Sequence, residues 1–331
     1  MRNAFILIAL FTLLLPCSVS ALSLDDGQMN IERKKLYKLV ETKTKVPWYL
    51  LGAVDQFEKN VRRSRKDLPK QTGLTGLYIP SDLWSGPLNP KEFDDNPATI
   101  RMFGGIGQDG NGDGIADQKN DLDSLYTFAK FLSSYGHGMD NLKIGLWDYY
   151  QRDKSEGIIM GHMKLIKKLK RFDLNERAFP VALGSDYSYR STWGDARGWG
   201  GRRIHEGTDI FAHYGVSVRS TCYGIIEMKG WNRFGGWRVG IRDFNNTYHY
   251  YAHLNGFAKG LEEGQIVKPG QVIGSVGSSG YGPPGTAGKF PPHLHYGMYK
   301  DNGKTEWSFD PYPHLRMWEG TERKALKKRK S

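Results

Sequence analysis

Four histidines and one aspartate in the C-terminal half of the chain have the residue types expected of a zinc site. They are His205, Asp209, His253, His293 and His295. A catalytic zinc takes three protein ligands from His, Asp, Glu or Cys and keeps a fourth position open for water. The set therefore contains enough ligands for one metal centre, and the remaining imidazoles can transfer protons.

Sequence spacing predicts that two of these histidines share one strand face. Side chains two residues apart in an extended strand point the same way, so His293 and His295 can project together into one groove. The same alternation would place His249 beside His253 on a strand over residues 247 to 254, where His249 could support the site. Nothing in the sequence requires that supporting role.

His205 and Asp209 are predicted to lie on a turn and not on a helix. Gly207 separates them, and the preceding run over residues 194 to 201 is rich in glycine, which favours a turn that leads into a strand. The arrangement therefore differs from the helical His-Glu-x-x-His motif of many zinc proteases. Glu206 is accordingly not predicted to be the general base.

The order of these motifs is similar to that of a known enzyme family. The motifs are His205-x-x-x-Asp209, Tyr-Ala-His253-Leu and His293-x-His295. Over about residues 180 to 315 the chain resembles the lysostaphin/LytM-type zinc endopeptidases. The segments at residues 208 to 213 and 311 to 313 are similar to the LytH-type L-Ala-D-Glu endopeptidases of spore-forming bacteria.

The resemblance implies a role for each of the five residues. It makes His205, Asp209 and His295 the ligands of one Zn²⁺, and His253 and His293 the catalytic pair. One imidazole would take a proton from the zinc-bound water and pass it to the leaving amine, while the other would donate to the oxyanion. The sequence leaves open which histidine has which role.

The resemblance also implies an activity and a place of action. The chain would be a zinc metalloendopeptidase that hydrolyses peptidoglycan stem peptides at the L-Ala-D-Glu bond, during maturation of the cell wall or spore cortex. One alternative is a non-catalytic LytM-type protein that binds the wall or activates amidases. Such proteins usually lack ligands, whereas all five positions are filled here.

Two long loops adjoin the candidate ligands, at residues 185 to 203 and 278 to 292. Long loops in compact domains are usually functional, so we interpret them as walls of a substrate groove. They carry Arg202, Arg203 and Tyr281. An L-Ala-D-Glu bond has a free carboxylate beside the scissile peptide, which a guanidinium can bind through two hydrogen bonds. The tyrosine could pack on the peptide or close a small core beneath the loops.

Length and pattern predict an α+β multidomain protein, with an α-helical part followed by an antiparallel β-rich part. The chain has 331 residues, of which 39% are hydrophobic and 25% charged, as in ordinary globular proteins. The predicted divisions are a signal peptide (1 to 21), a helical domain (28 to 172), a linker (173 to 184), a peptidase domain (185 to 315) and a basic tail (316 to 331).

The N-terminus and the charge indicate an exported protein. A charged start, an apolar run and Val19-Ser20-Ala21 have the parts of a secretory signal peptide, and the run is short for a bilayer span. We therefore expect no stable membrane span after cleavage, and location in the cell wall or the cortex around a forespore. A net charge of +12 favours anionic wall polymers as partners, and no nucleic-acid-binding motif is present.

The helical part resembles lysozyme-like lytic transglycosylases at residues 46 to 58 and 109 to 117. That resemblance would make Glu58 a catalytic acid and the chain bifunctional. Burial would raise the pKa of this carboxyl group. The segment over residues 86 to 89 departs from the family's substrate-binding residues. A structural glutamate, paired with Lys or Arg, is the preferred interpretation.

A calcium site is a second hypothesis for the helical part. Asp109, Asn111 and Asp113 alternate as in the first half of an EF-hand loop, but the twelfth position is Asn120 and not the bidentate glutamate. A turn held by Asx side chains without metal explains the same residues equally well.

Overall fold

The computed structural model describes residues 25 to 198 and 202 to 328, so the predicted signal peptide lies outside the described residues. Helices fill the first half of this part of the chain. They are α1 (Asp26–Thr44), α2 (Trp48–Ser64), α3 (Ser81–Ser85), α4 (Pro97–Met102), α5 (Asp121–Ser134), α6 (Met139–Tyr150) and α7 (Asp153–Leu169). None of the helices in the described ranges is long and apolar enough to cross a membrane.

Helices α2 and α7 form the centre of the helical core. The apolar positions of α2 are spaced for one helix face, and Leu50, Val54 and Phe57 are buried there. Ile159 and Ile166 are the buried counterparts on α7. The apolar faces of α2 and α7 therefore belong to the core.

An antiparallel sheet fills the second half. Its strands are β1 (Tyr187–Tyr189), β4 (Thr208–Ala212), β5 (Ser217–Arg219), β6 (Gly224–Asn232), β7 (Gly236–Asp243), β8 (Thr247–Phe257), β9 (Ile266–Val267), β10 (Val272–Val276), β11 (His293–Asp301) and β12 (Glu306–Phe309). Strands β2 (Ala196–Arg197) and β3 (Arg203–Ile204) form a separate pair. The main order is β1-β4-β11-β8-β7-β6-β9. The α-helical and β-rich fold class is confirmed, but nothing in the fold establishes a lysozyme-like domain.

A bulge in β8 makes one prediction wrong. Residues 252 and 253 of β8 lie between the pairs Trp237↔Leu254 and Val239↔Tyr251, which leave a single residue of β7 opposite them. His253 has a φ of 62°, and this reverses the alternation of side chains. His253 therefore lines the groove with Tyr250, whereas His249 lies on the other face of the sheet.

The predicted linker and the described start of the predicted tail both pack against the sheet. Phe179 and Val181 of the linker are fully buried in the core of the sheet. The tail begins inside an eighth helix, α8 (Tyr312–Lys328), whose Leu315 and Trp318 cover the same core. The sequence predicts a solvated tail because charged residues dominate it. Two apolar residues one helical turn apart are only a weak signal for a packed helix.

The helical part and the sheet share packing. Phe244, which directly follows β7, is buried in the helical core, and its carbonyl oxygen accepts hydrogen bonds from Gln56 and Asn60 at 3.3 and 3.0 Å. Arg152 pairs with the buried carboxylate of Asp301 on β11. The helical part therefore contacts the sheet next to the end of β7 and at the end of β11.

Glu58 is buried in α2, and no cation lies within ion-pair distance of it among residues 25 to 198 and 202 to 328. Its carboxylate accepts a hydrogen bond of 2.6 Å from the Tyr150 hydroxyl. A hydrogen bond from a tyrosine thus takes the place of the ion pair with Lys or Arg that the sequence suggested. Burial raises the pKa of Glu58 to about 7, and the hydrogen bond only partly opposes this.

This pKa predicts a pH-dependent stability. The folded state favours the protonated form of Glu58, because its folded-state pKa lies above the ordinary value of 4.5. The resulting stabilisation of the fold is complete below pH 4.5 and is lost as the pH rises through 7. Glu58→Gln should lack this loss, which is on the order of 3 kcal/mol in the free energy of unfolding. Urea unfolding of both proteins at pH 5 and pH 8 measures it. Equal pH dependence of the two would contradict the prediction.

The calcium hypothesis gains no support. The carboxylate oxygens of Asp109 accept backbone N–H groups of Gly112 and Gly114 at 2.6 and 2.8 Å. In the same way, the side-chain oxygen of Asn111 accepts a hydrogen bond from the backbone N–H of Asp113. Asn120 caps α5 through the backbone N–H of Leu122. The segment is therefore a turn held by its own Asx side chains.

Candidate metal centre

Three of the five candidate residues bring one donor atom each to a common point. His205 Nε2 lies 2.8 Å from His295 Nδ1, and Asp209 Oδ1 lies 3.1 and 3.0 Å from these two nitrogens. Ligands about 2.0–2.1 Å from a tetrahedral zinc stand roughly 3.4 Å apart. Two imidazoles and one carboxylate at these separations therefore fit Zn²⁺ in chemistry and in size.

The local backbone explains this convergence. Strands β4 and β11 pair with His295 opposite Asp209, so the two side chains are cross-strand neighbours. Gly207 lies against His295, and a Cβ at that position would stand 2.6 Å from the imidazole Cε1. Only glycine therefore lets the turn that carries His205 approach β11 closely enough.

His253 and His293 stand beside the three donors without joining them. The His253 ring centroid is 4.9 Å from that of His293 and 5.9 Å from that of His295. His293 Nε2 lies 3.7 Å from Asp209 Oδ1. All five predicted residues thus lie close together, with His253 and His293, the predicted catalytic pair, at the edge of the group.

Backbone carbonyls define the tautomers of three histidines. The Nδ1 atoms of His205, His253 and His293 lie 2.8, 2.8 and 2.9 Å from carbonyl oxygens of Thr192, Ser279 and Pro291, respectively. A carbonyl oxygen can only accept, so each Nδ1 must donate a proton. Each Nε2 of the neutral rings then carries a lone pair, as a metal ligand or a base requires.

Burial keeps the site in the protonation states that zinc binding needs. It lowers the pKa of His253 to about 3, aided by the neighbouring His293 and His295, and it lowers the pKa of His293 and of His295 as well. Burial alone would raise the pKa of Asp209, but the adjoining imidazoles of His205 and His295 bring it well below its usual range.

Arg197 is a member of the site that sequence reasoning missed. Its guanidinium donates a hydrogen bond to Asp209 Oδ2 at 2.7 Å. Asp209 Oδ1 is therefore the oxygen that faces the nitrogens of His205 and His295. The arginine lies on β2, whose pairing with β3 brings it to the turn. No spacing rule links residue 197 to residue 209, because the contact depends on a two-stranded pairing within a glycine-rich loop.

The site opens into a groove of about 1070 Å³. Both predicted loops contribute to it, the first through Arg203 and the second through Tyr281 and Phe290. Arg203 donates to the Tyr281 hydroxyl at 3.5 Å, and the Tyr281 ring stacks 5.9 Å from His253. Arg202 is exposed and does not line the groove.

The sheet also forms the floor of the groove with residues that sequence reasoning missed. Tyr248 and Tyr250 of β8 and Arg238 of β7 line it. The alternation in β8 could have identified the two tyrosines, had the bulge at His253 been anticipated. No described residue of the helical part lines the groove, so the helices leave it uncovered.

A second set of potential metal ligands is already satisfied. Cys222, Asp243 and His249 lie close together and are fully buried. Asp243 is paired with Arg177 at 2.7 Å, and His249 contacts the Tyr296 hydroxyl at 2.6 Å. Burial raises the pKa of Cys222 to about 12, so this thiol is a small buried group.

Comparison with known proteins agrees with this geometry. Residues 203 to 310 match the family model described as peptidase family M23. An L-Ala--D-Glu endopeptidase of Bacillus subtilis (strain 168) is 67% identical over 305 residues, which cover 92% of this chain and 93% of the relative. The chain belongs to peptidase family M23. The predicted family and the predicted class, a zinc metalloendopeptidase, are thereby confirmed.

Other similar proteins match a smaller share of the chain. Lysostaphin of Staphylococcus staphylolyticus is 33% identical over 115 residues, which cover 34% of this chain and 22% of the relative. The crystallised catalytic domain of lysostaphin from Staphylococcus simulans is 29% identical, with 40% of this chain and 92% of that domain covered and a TM-score of 0.32.

Proposed function

We propose that this M23 peptidase hydrolyses the L-Ala-D-Glu bond of peptidoglycan stem peptides. The observation that carries the proposal is the convergence of two imidazoles and a carboxylate at one end of an open groove. The choice of bond rests on the 67% identity with the B. subtilis L-Ala--D-Glu endopeptidase over nearly the whole chain.

His205, Asp209 and His295 would hold the zinc ion in this proposal. When bound there, zinc would polarise the scissile carbonyl and acidify a water molecule. Asp209 offers Oδ1 because Arg197 occupies Oδ2, and this contact also orients the carboxylate. The ligands need no rearrangement, since their donor atoms already lie within about 3 Å of one another.

His253 and His293 would move protons. Each donates its Nδ1 proton to a backbone carbonyl and presents a basic Nε2. One of them accepts the proton of the attacking water and returns it to the leaving amine. The imidazolium formed in between stabilises the negative charge that develops on the carbonyl oxygen. Because both rings have the same tautomer, either histidine could take the proton from water.

The groove would bind the stem peptide through aromatic and cationic side chains. Tyr281 offers a ring beside His253, and Arg203 stands at its hydroxyl. A guanidinium there can contribute to binding the carboxylates of the stem peptide. Arg202 is exposed and is not among the groove-lining residues, so the proposal gives it no substrate contact.

An extracellular place of action is part of the proposal. A signal peptide over residues 1 to 21 and a net charge of +12 support export and contact with anionic wall polymers. A role in the spore cortex is supported only by the similarity of residues 208 to 213 and 311 to 313 to enzymes of spore-forming bacteria.

Digestion of purified muropeptides tests the activity. Mass spectrometry of the products should show new amino termini on D-Glu and free carboxyl termini on L-Ala. Anhydro-sugar ends that disappear in the Glu58→Ala variant would support a glycan-cleaving enzyme. Unchanged muropeptides would favour a non-catalytic protein. Cleavage at another peptide bond would contradict the proposed specificity while leaving the metallopeptidase class intact.

A further inference from the structure

The acidic and basic side chains that line the groove differ in whether they have partners. Each carboxylate there has a partner: Asp209 pairs with Arg197 at 2.7 Å, Glu306 pairs with Arg242 at 2.8 Å, and Glu206 accepts a hydrogen bond from Tyr299 at 3.2 Å. In contrast, no carboxylate described in the structure lies within ion-pair distance of Arg238. The floor of the groove therefore carries an unneutralised positive charge.

The Arg238 side chain contacts a neighbouring ring, but not all of its N–H donors have acceptors. It lies on β7, next to the central strand, and its guanidinium carbon stands 6.0 Å from the centre of the Tyr250 ring. Its Nε atom is buried and has no hydrogen-bond partner among the described residues. A guanidinium has five donors arranged to match a carboxylate, and a buried donor without an acceptor costs free energy. The side chain is thus ready for an anionic ligand.

The position of Arg238 relates this ligand to the reaction. Tyr250 also contacts His295, with ring centroids 5.9 Å apart, so a single aromatic ring separates the guanidinium from a proposed zinc ligand. Arg203 and Lys289 also line the groove, but both are exposed and carried by irregular or short segments. A cation on an inner strand of a sheet positions a ligand more strictly than one on a loop.

We propose that Arg238 determines specificity by binding a free carboxylate on the amine side of the scissile bond. This inference rests on the proposed function. In an L-Ala-D-Glu substrate, the α-carboxylate of D-Glu is three bonds from the scissile carbonyl carbon, and the next residue of the stem can carry another carboxylate. The chemistry of recognition is the same for both: a bidentate, charge-assisted pair in a half-buried groove.

Three synthetic peptides separate these two sources. One contains L-Ala-D-Glu and a third residue with a free carboxylate, the second has the α-carboxylate of D-Glu as an amide, and the third has the carboxylate of the third residue as an amide. The wild-type enzyme should cleave one amide form with a kcat/KM about 10 to 100 times lower, as expected for loss of one charged hydrogen-bond pair. That form identifies the carboxylate that Arg238 binds.

Arg238→Met should remove this discrimination. It should cleave the free-acid peptide as poorly as the wild type cleaves the discriminating amide, mainly through a higher KM, and Arg238→Lys should restore part of the difference. The control is Arg233→Met, at an exposed arginine of the β6–β7 turn that does not line the groove. It should behave as wild type.

Two results would overturn the role of Arg238. One is wild-type discrimination in the Arg238→Met variant, and the other is an equal decrease for all three peptides, which is the signature of a merely structural residue. Loss of discrimination in Arg203→Met alone would reassign the carboxylate to that loop and would equally reject the inference. A wild-type enzyme that cleaves none of the peptides would instead refute the proposed function.

Discussion

The His295→Ala variant is expected to lose its zinc and at least about 1,000-fold of kcat/KM on stem peptides, because a metal supplies several kcal/mol of transition-state stabilisation. His295 carries the donor atom that is closest to both other candidate ligands, at 2.8 and 3.0 Å. Its removal leaves one imidazole and one carboxylate, too few for a catalytic zinc site. Elemental analysis and single-substrate kinetics on the same preparation measure both effects.

His213→Ala is the matched control. This histidine follows β4, only four residues from Asp209, but 83% of its side chain is exposed to solvent. Its substitution should leave both zinc content and kcat/KM unchanged. A His295→Ala protein that retains one zinc per chain and normal kinetics would show that the three-residue site is not the metal centre.

The His253→Asn variant is expected to keep its zinc and its KM but to lose about 100- to 10,000-fold in kcat, the range for removal of a general acid or base. Asparagine is the appropriate replacement because His253 has a φ of 62°, a conformation that asparagine adopts more readily than most residues. The bulge that aims residue 253 at the groove should therefore persist. Circular dichroism and the melting temperature check that it does.

His293→Ala provides the comparison for this second prediction. It should also retain zinc and lower kcat, because its Nε2 is the other basic nitrogen beside the ligands. Whichever of the two substitutions has the larger effect on kcat removes the residue that takes the proton from water. Loss of zinc from the His253 variant would contradict the division into ligands and catalytic residues.

Much of the candidate site could be predicted from the sequence because its strands are regular. The two-residue spacing of His293 and His295 predicts a shared face, and β11 begins at His293 as expected. Gly207 predicts a turn between His205 and Asp209, and the strand that follows, β4, begins at Thr208. Local periodicity and a glycine were sufficient in both cases.

The rest depends on irregular or long-range features that a sequence does not display. His249 was expected beside His253, but one extra residue in β8 places the two on opposite faces, and neither glycine nor asparagine marks that bulge. Arg197 and Arg238 reach the groove only through strand pairings that no local pattern encodes. The same holds for Glu58, whose partner Tyr150 is 92 residues away in the chain.

The metal content of the active enzyme tests the central claim most directly. The purified chain should contain one zinc, lose both zinc and stem-peptide hydrolysis on dialysis against a chelator, and regain both with one equivalent of Zn²⁺. Hydrolysis that continues unchanged in protein shown by elemental analysis to be free of metal would contradict the proposal that His205, Asp209 and His295 hold a catalytic zinc.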